Sequence, residues 1–247
     1  MSIAVAVLGA AGRMGQTTVA AIEAAEDLEL VASLDMGDDV AALAGVADVA
    51  VDFTVPSATE ANVHALIDAG VHAVVGTTGW DEDALGRVRE HLSRRADVGA
   101  LIAPNFALSA VLAMKFAEMA APLFASAEVV ELHHPRKVDA PSGTAAHTAR
   151  GIAAARARAG LGPMPDATEI DPGGARGADM DGVHVHALRM TGLVAHEQVF
   201  LSNPGELLTI RTDSFDRSSF MPGVLLAVRT VAGRPGLTLG LDGYLDL

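Results

Sequence analysis

The chain has 247 residues, half of them hydrophobic, enough for one large α/β domain or two modest ones with a sizeable core. Its 17 Lys and Arg stand against 31 Asp and Glu, and the resulting net charge of −14 repels nucleic acid and anionic membrane. With no cysteine, disulfides and thiolate chemistry are excluded, and nothing points to an oxidising compartment.

The opening apolar run, Ile3–Leu8, lacks the basic flank of a signal segment and runs straight into Gly-Ala-Ala-Gly-Arg, so it reads as a strand. No stretch approaches the ~18 uninterrupted apolar residues of a membrane span, and a cytoplasmic location is expected. A helix from about Arg13 to Ala25 and a strand at Leu28–Leu34 follow. Strands at Ala47–Thr54, Val71–Val75 and Val98–Ala103 then alternate with helical stretches at Ser57–Ala69 and Asp81–Arg95. That is the rhythm of βαβ units and predicts a Rossmann-like, doubly wound parallel sheet.

Directly after the first strand stands Gly9-Ala10-Ala11-Gly12-Arg13-Met14-Gly15, a Gly-x-x-Gly-x-x-Gly variant of the dinucleotide turn. Gly9 serves the tight turn, Gly12 the approach of backbone to pyrophosphate, and Gly15 the close packing of helix on strand. Asp35, 20 positions beyond Gly15 at the end of the second strand, suits the ribose hydroxyls of an adenosine and disfavours a 2′-phosphate; Arg13, in the phosphate turn, pulls the other way. Both NADH and NADPH are therefore expected. Later strand ends read Gly76-Thr77-Thr78-Gly79 and Ala103-Pro104-Asn105-Phe106, whose small, hydroxyl and carboxamide groups suit a nicotinamide riboside, although turn chemistry uses the same residue types. Asp52-Phe53-Thr54 is a weaker candidate, because Phe53 also suits a core.

Beyond Asn105 the texture changes. A long apolar helix from about Leu108 to Phe124 leads into a strand at Ala127–Leu132, and a loop from Gly160 to Gly182 is too polar and broken for an element. Strands at Val183–Met190, Val194–Leu201 and Leu207–Thr212 follow without intervening helices, which predicts a smaller α+β domain with an antiparallel or mixed sheet. A helical stretch at Phe220–Ala232 and a strand at Leu237–Leu241 form a last αβ unit able to rejoin the first domain. The expected division is residues 1–106 with 216–247 for the dinucleotide domain and 107–215 for the second.

The segment Glu131-Leu132-His133-His134-Pro135-Arg136-Lys137-Val138-Asp139-Ala140-Pro141-Ser142-Gly143-Thr144-Ala145 gathers four cations or potential cations and follows them with a helix start. Ser142 reads as the N-cap, leaving the N–H groups of Gly143 and Thr144 to meet a carboxylate or phosphate. A solvated basic turn is the bland alternative, but in so acidic a chain a local basic cluster favours a small anionic ligand. No metal is expected: His133 and His134 point to opposite faces of a strand, and His184 and His186 share a face without a third ligand.

These motifs resemble those of the 4-hydroxy-tetrahydrodipicolinate reductase (dihydrodipicolinate reductase) family. The likeness spans nearly the whole chain, through residues 9–15, Val-Asp-Phe-Thr at 51–54, Gly-Thr-Thr-Gly at 76–79, Ala-Pro-Asn-Phe at 103–106 and, most specifically, 131–145. It implies NAD(P)H-dependent reduction of a cyclic unsaturated dicarboxylate, with His133 as proton donor, Lys137 as a catalytic and substrate-binding charge, and His134, Gly143 and Thr144 as substrate contacts. It also implies that the second domain binds substrate and builds a homotetramer. The departure is Met36-Gly37 after Asp35, where some members carry an arginine for the 2′-phosphate. Two rivals are a different two-domain dehydrogenase, which leaves residues 131–145 unexplained, and a nucleotide sensor, for which the basic partner domain is missing.

Overall fold

A computed structural model describes residues 2–245. The chain divides into two compact units, Met1–Ala107 with Arg217–Leu247, and Leu108–Asp216. Both junctions fall one residue later than the change in sequence texture suggests.

The first unit is built on a parallel six-stranded sheet in the order β11-β5-β4-β3-β1-β2. Its strands are β1 (Ile3–Leu8), β2 (Leu28–Leu34), β3 (Val49–Asp52), β4 (His72–Val75), β5 (Gly99–Ile102) and β11 (Gly236–Leu239). The central strands are apolar along nearly their whole length, as burial on both faces requires. On one face α2 (Pro56–Ala69) and α3 (Glu82–Ser93) bury Val63, Leu66, Ile67, Leu85, Val88 and Leu92 against the sheet. On the other, α1 (Arg13–Glu23) packs beside α6 (Met221–Thr230). The C-terminal segment thus supplies both an edge strand and a covering helix. The strand ends are level: Leu8 pairs with Leu34 and Asp52, Asp52 with Val75, Val75 with Ile102, and Ile102 with Leu239. The turns after β1 through β5 therefore open on one edge, the carboxyl edge where doubly wound sheets bind ligands.

The second unit holds a mixed sheet in the order β10-β9-β6-β8-β7. Its strands are β6 (Ser126–His133), β7 (Ala178–Met180), β8 (Val183–Arg189), β9 (Ala195–Asn203) and β10 (Glu206–Ser214); β6 runs parallel to β8 and antiparallel to β9. Helices α4 (Leu108–Ala120) and α5 (Gly143–Arg158) cover one face through Ile152 and the small residues Ala117, Ala145, Ala149 and Ala155, which let helix and sheet approach closely. Two expectations need correction. The apolar helix does not continue to Phe124, because Pro122 lacks the N–H an α-helix needs and the chain tightens into a 3₁₀ turn over Ala121–Leu123. The loop 160–182 is not wholly irregular either: Ala178–Met180 pairs with β8 as an edge strand, too short to leave a periodic signal.

Candidate active site

The turn after β1 owes its shape to its glycines. Gly9 sits at φ +77°, and a Cβ there would come within 2.6 Å of the Phe53 carbonyl oxygen. A Cβ on Gly15 would lie 2.0 Å from the Gly9 carbonyl oxygen, so only glycine lets α1 start this close to the strand. Gly12 is the N-cap of α1 and offers no side-chain cap, and the first turn carries no acidic residue. The helix start over Arg13 and Met14 is therefore complementary to an anion brought from outside. Ala10 is buried, whereas Ala11, Gly12 and Arg13 are exposed. Asp35, also exposed, accepts a hydrogen bond from the Ala11 N–H at 2.7 Å, which ties the end of β2 to the turn and fixes the carboxylate beside it.

The next two turns are knotted together by Asp52. Fully buried at the end of β3, it accepts from the Thr54 N–H and hydroxyl (2.8 and 2.6 Å), the Thr59 hydroxyl (3.2 Å), the Asn62 amide (3.0 Å) and the Thr77 hydroxyl (2.9 Å). The Thr77 hydroxyl is thus committed within the protein, and Thr78 carries the exposed one. Gly76 is required because a Cβ would strike the Phe53 ring at 2.0 Å. Phe53 meets Phe106 edge to face, with ring centroids 6.1 Å apart. Ala103 and Phe106 are buried, so a ligand would meet them through main-chain atoms, while Pro104 is exposed and Asn105 half-buried, its side-chain Oδ1 accepting from the Ala107 N–H at 2.8 Å.

In the second unit, β6 delivers His133 at its last position and α5 begins at Gly143, capped by Ser142, whose hydroxyl accepts from the Ala145 N–H. What joins these two ends is Glu131. Its side chain is 0% exposed. One oxygen lies 2.5 Å from His133 Nδ1 and accepts from Arg189 Nη1 at 2.8 Å; the other accepts from the Ser142 N–H at 3.0 Å and from Arg189 Nη2 at 2.7 Å. Burial pushes this carboxyl up, but the hydrogen bonds and charges of His133 and Arg189, with the Ser142 N–H, overcome it and hold Glu131 down to about 2. Arg189 also donates to the Asp139 carbonyl at 2.6 Å, bracing the loop that carries Lys137. The Lys137 ammonium lies 2.8 Å from the Asp139 carboxylate. His134 contributes its carbonyl to a turn with the Lys137 N–H, and its ring Nδ1 is buried without a hydrogen-bond partner. Gly143 is exposed and Thr144 half-buried at the helix start.

The residues expected from the sequence therefore gather in two places, the carboxyl edge of the first sheet and the junction of β6 with α5. Residue type and spacing marked neither Glu131 nor Arg189 as part of the site. Arg189 stands 58 residues from Glu131 and meets it only because β6 and β8 pair in parallel with His133 opposite Arg189. A second buried carboxyl, Glu197, lies directly across the β6–β9 pair from Glu131 and accepts from the Thr148 hydroxyl at 2.8 Å. Burial pushes it up to about 7. Among the described residues no group of three or more His, Asp or Glu is placed to hold a metal: His186 pairs with Glu128 at 2.8 Å, and His184 lies 3.8 Å from Asp166.

Two family models together match nearly the whole chain. The model of the dihydrodipicolinate reductase N-terminus matches residues 3–106, and that of the C-terminus matches residues 109–245. The chain is 76% identical to the 4-hydroxy-tetrahydrodipicolinate reductase of Beutenbergia cavernae and 58% identical to that of Corynebacterium efficiens, each across the full length of both proteins. A solved structure of dipicolinate-bound dihydrodipicolinate reductase from Paenisporosarcina sp. TG-14 superposes with a TM-score of 0.90 at 36% identity, covering 99% of this chain and 100% of that one. Both units, the strand-end turns and the His133–Thr144 segment fall inside the matched regions, and the chain belongs to the dihydrodipicolinate reductase family.

Proposed function

We propose that the chain reduces 4-hydroxy-tetrahydrodipicolinate, by way of dihydrodipicolinate, to tetrahydrodipicolinate with NADH or NADPH, in lysine and diaminopimelate biosynthesis. The observation that carries this reading is the tether at Glu131, which ties the His133 ring and the start of α5 to one buried carboxylate. A proton donor and an anion-binding helix end are thereby held in one place, as a cyclic dicarboxylate requires. The residues after β1 fit the cofactor: a turn that only glycines can form, an uncapped helix start for the pyrophosphate, and Asp35 for the adenosine ribose.

A bound reduced nicotinamide supplies hydride to the substrate ring. The electron density left on the ring needs a proton, and His133 supplies it; imidazole exchanges protons readily near neutral pH. Lys137 holds one substrate carboxylate. It exchanges its half-exposed Asp139 partner for the ligand, an exchange that costs little because an exposed ion pair contributes only ~0–1 kcal/mol. His134 and the N–H groups of Gly143 and Thr144 hold the other carboxylate at the start of α5. Leu188 and Leu207 lie exposed on β8 and β10, on the face of the second sheet opposite its helices, which supports burial of that face between subunits of a homotetramer. No helix among the described residues is long and apolar enough to cross a membrane, and the reading places the enzyme in the cytoplasm.

Steady-state kinetics of two variants test the assignment. His133→Gln lowers kcat by ~10² or more with little change in KM, since general acid catalysis acts in the transition state. Lys137→Ala raises KM as well as lowering kcat, because its charge contact exists in the ground state too. Near-full turnover in His133→Gln would remove that histidine from the mechanism.

A further inference from the structure

The acid needs a support that delivers it in one orientation and one tautomer, and the buried ion pair behind it has the form of such a support. We propose that Glu131 and Arg189 are the positioning residues of His133: the carboxylate takes the Nδ1–H of the imidazole, and the guanidinium holds the carboxylate in place. This inference rests on the reading of His133 as proton donor and deepens it.

The tautomer follows from the hydrogen-bond inventory. Glu131 receives two bonds from the Arg189 guanidinium and one from the Ser142 N–H, all of them donors, which is the surrounding of an ionised carboxylate. An ionised carboxylate only accepts, so the 2.5 Å contact requires the hydrogen to reside on His133 Nδ1. Nδ1 is thereby committed, and Nε2 is the nitrogen left to exchange a proton with a ligand. Arg189 is suited to hold the carboxylate because its planar fork engages both oxygens at 2.8 and 2.7 Å, which a lysine cannot do. Its reach to the Asp139 carbonyl extends the same brace to the Lys137 loop. The charged and titratable groups facing this cluster are Arg189 from β8, Glu197 from β9 and Lys137 with Asp139 from the loop; α5 contributes the uncharged Ser142 N–H. Removing either half of the pair also strands the other half's charge in a buried site, so the test needs a readout that instability alone does not mimic.

The experiment is a kinetic double-mutant cycle on the full-length enzyme with NADH and 4-hydroxy-tetrahydrodipicolinate, using Glu131→Gln, His133→Gln and the double variant. Glu131→Gln keeps the shape and loses the charge. The expected result is a kcat at least tenfold lower at nearly unchanged KM, with no further loss when Glu131→Gln is added to His133→Gln. Should Glu131→Gln fail to fold, Arg189→Lys, which keeps the charge and loses the fork, takes its place with the same expectation. Wild-type turnover in these variants, or losses that multiply with that of His133→Gln, would overturn the positioning role and leave His133 as the donor. A fully active His133→Gln would overturn the donor assignment and this inference with it.

Discussion

Asp35 shows how much a single residue can decide. Its position at the end of β2 was legible from spacing alone, because the strand-turn-helix order dictates where a ribose lies. Not legible was that the Ala11 N–H holds it at 2.7 Å, which leaves the carboxylate one engaged and one open side. Arg13 is exposed in the same turn, and Met36 beyond Asp35 is fully exposed and carries no charge. Opposing exposed charges screened by salt give small discrimination, so NADH and NADPH should both serve, with kcat/KM values within about tenfold of each other. Asp35→Ala should shift the ratio toward NADPH and Arg13→Ala toward NADH, both shifts shrinking at high salt. An unchanged ratio in Asp35→Ala would mean that the ribose is read elsewhere. Thr77 marks the limit of residue-type reasoning. Its hydroxyl suited a ligand on paper but is spent on Asp52, a knot that appears only once β3 and β4 are side by side.

At the scale of elements, local pattern carried most of the reading. Apolar runs located every strand of the first sheet, and Ser142 at the N-cap fixed the start of α5. Replacing Ser142 by Ala should cost about 1 kcal/mol of stability, measured by denaturant unfolding, because the Ala145 N–H loses its acceptor. Strand pairing was not legible, and it creates the two buried carboxyls. Glu131 and Glu197 face each other across β6 and β9, and folding moves them in opposite directions. Glu131, held near 2, contributes stability that is present above pH 4.5 and lost as pH falls through 2. Glu197, raised to about 7, contributes stability that is full below pH 4.5 and lost as pH rises through 7. Glu197→Gln is neutral at every pH and should therefore be more stable than wild type at pH 8, by on the order of 3 kcal/mol or less, with the gap closing toward pH 4.5. A variant destabilised equally at both pH values would show that Glu197 acts through packing instead.

For the whole molecule, the sequence announced two constructions in one chain, a parallel α/β unit and a mixed-sheet unit, because alternating and consecutive strands leave different textures. It also suggested that the last αβ segment returns to the first unit, and β11 does pair with β5. The proposed tetramer is testable by light scattering, which should report four copies of the 25.3 kDa chain, and charge substitution at Leu188 and Leu207 should lower that mass. A monomer at micromolar concentration would contradict the oligomeric assignment without touching the chemistry. The claim on which all else depends is that this chain transfers hydride to a cyclic dicarboxylate. The direct measurement is oxidation of NADH, and separately NADPH, by the purified protein with and without 4-hydroxy-tetrahydrodipicolinate. Oxidation of both cofactors is expected only when the substrate is present. Oxidation of neither cofactor, or oxidation independent of the substrate, would contradict it.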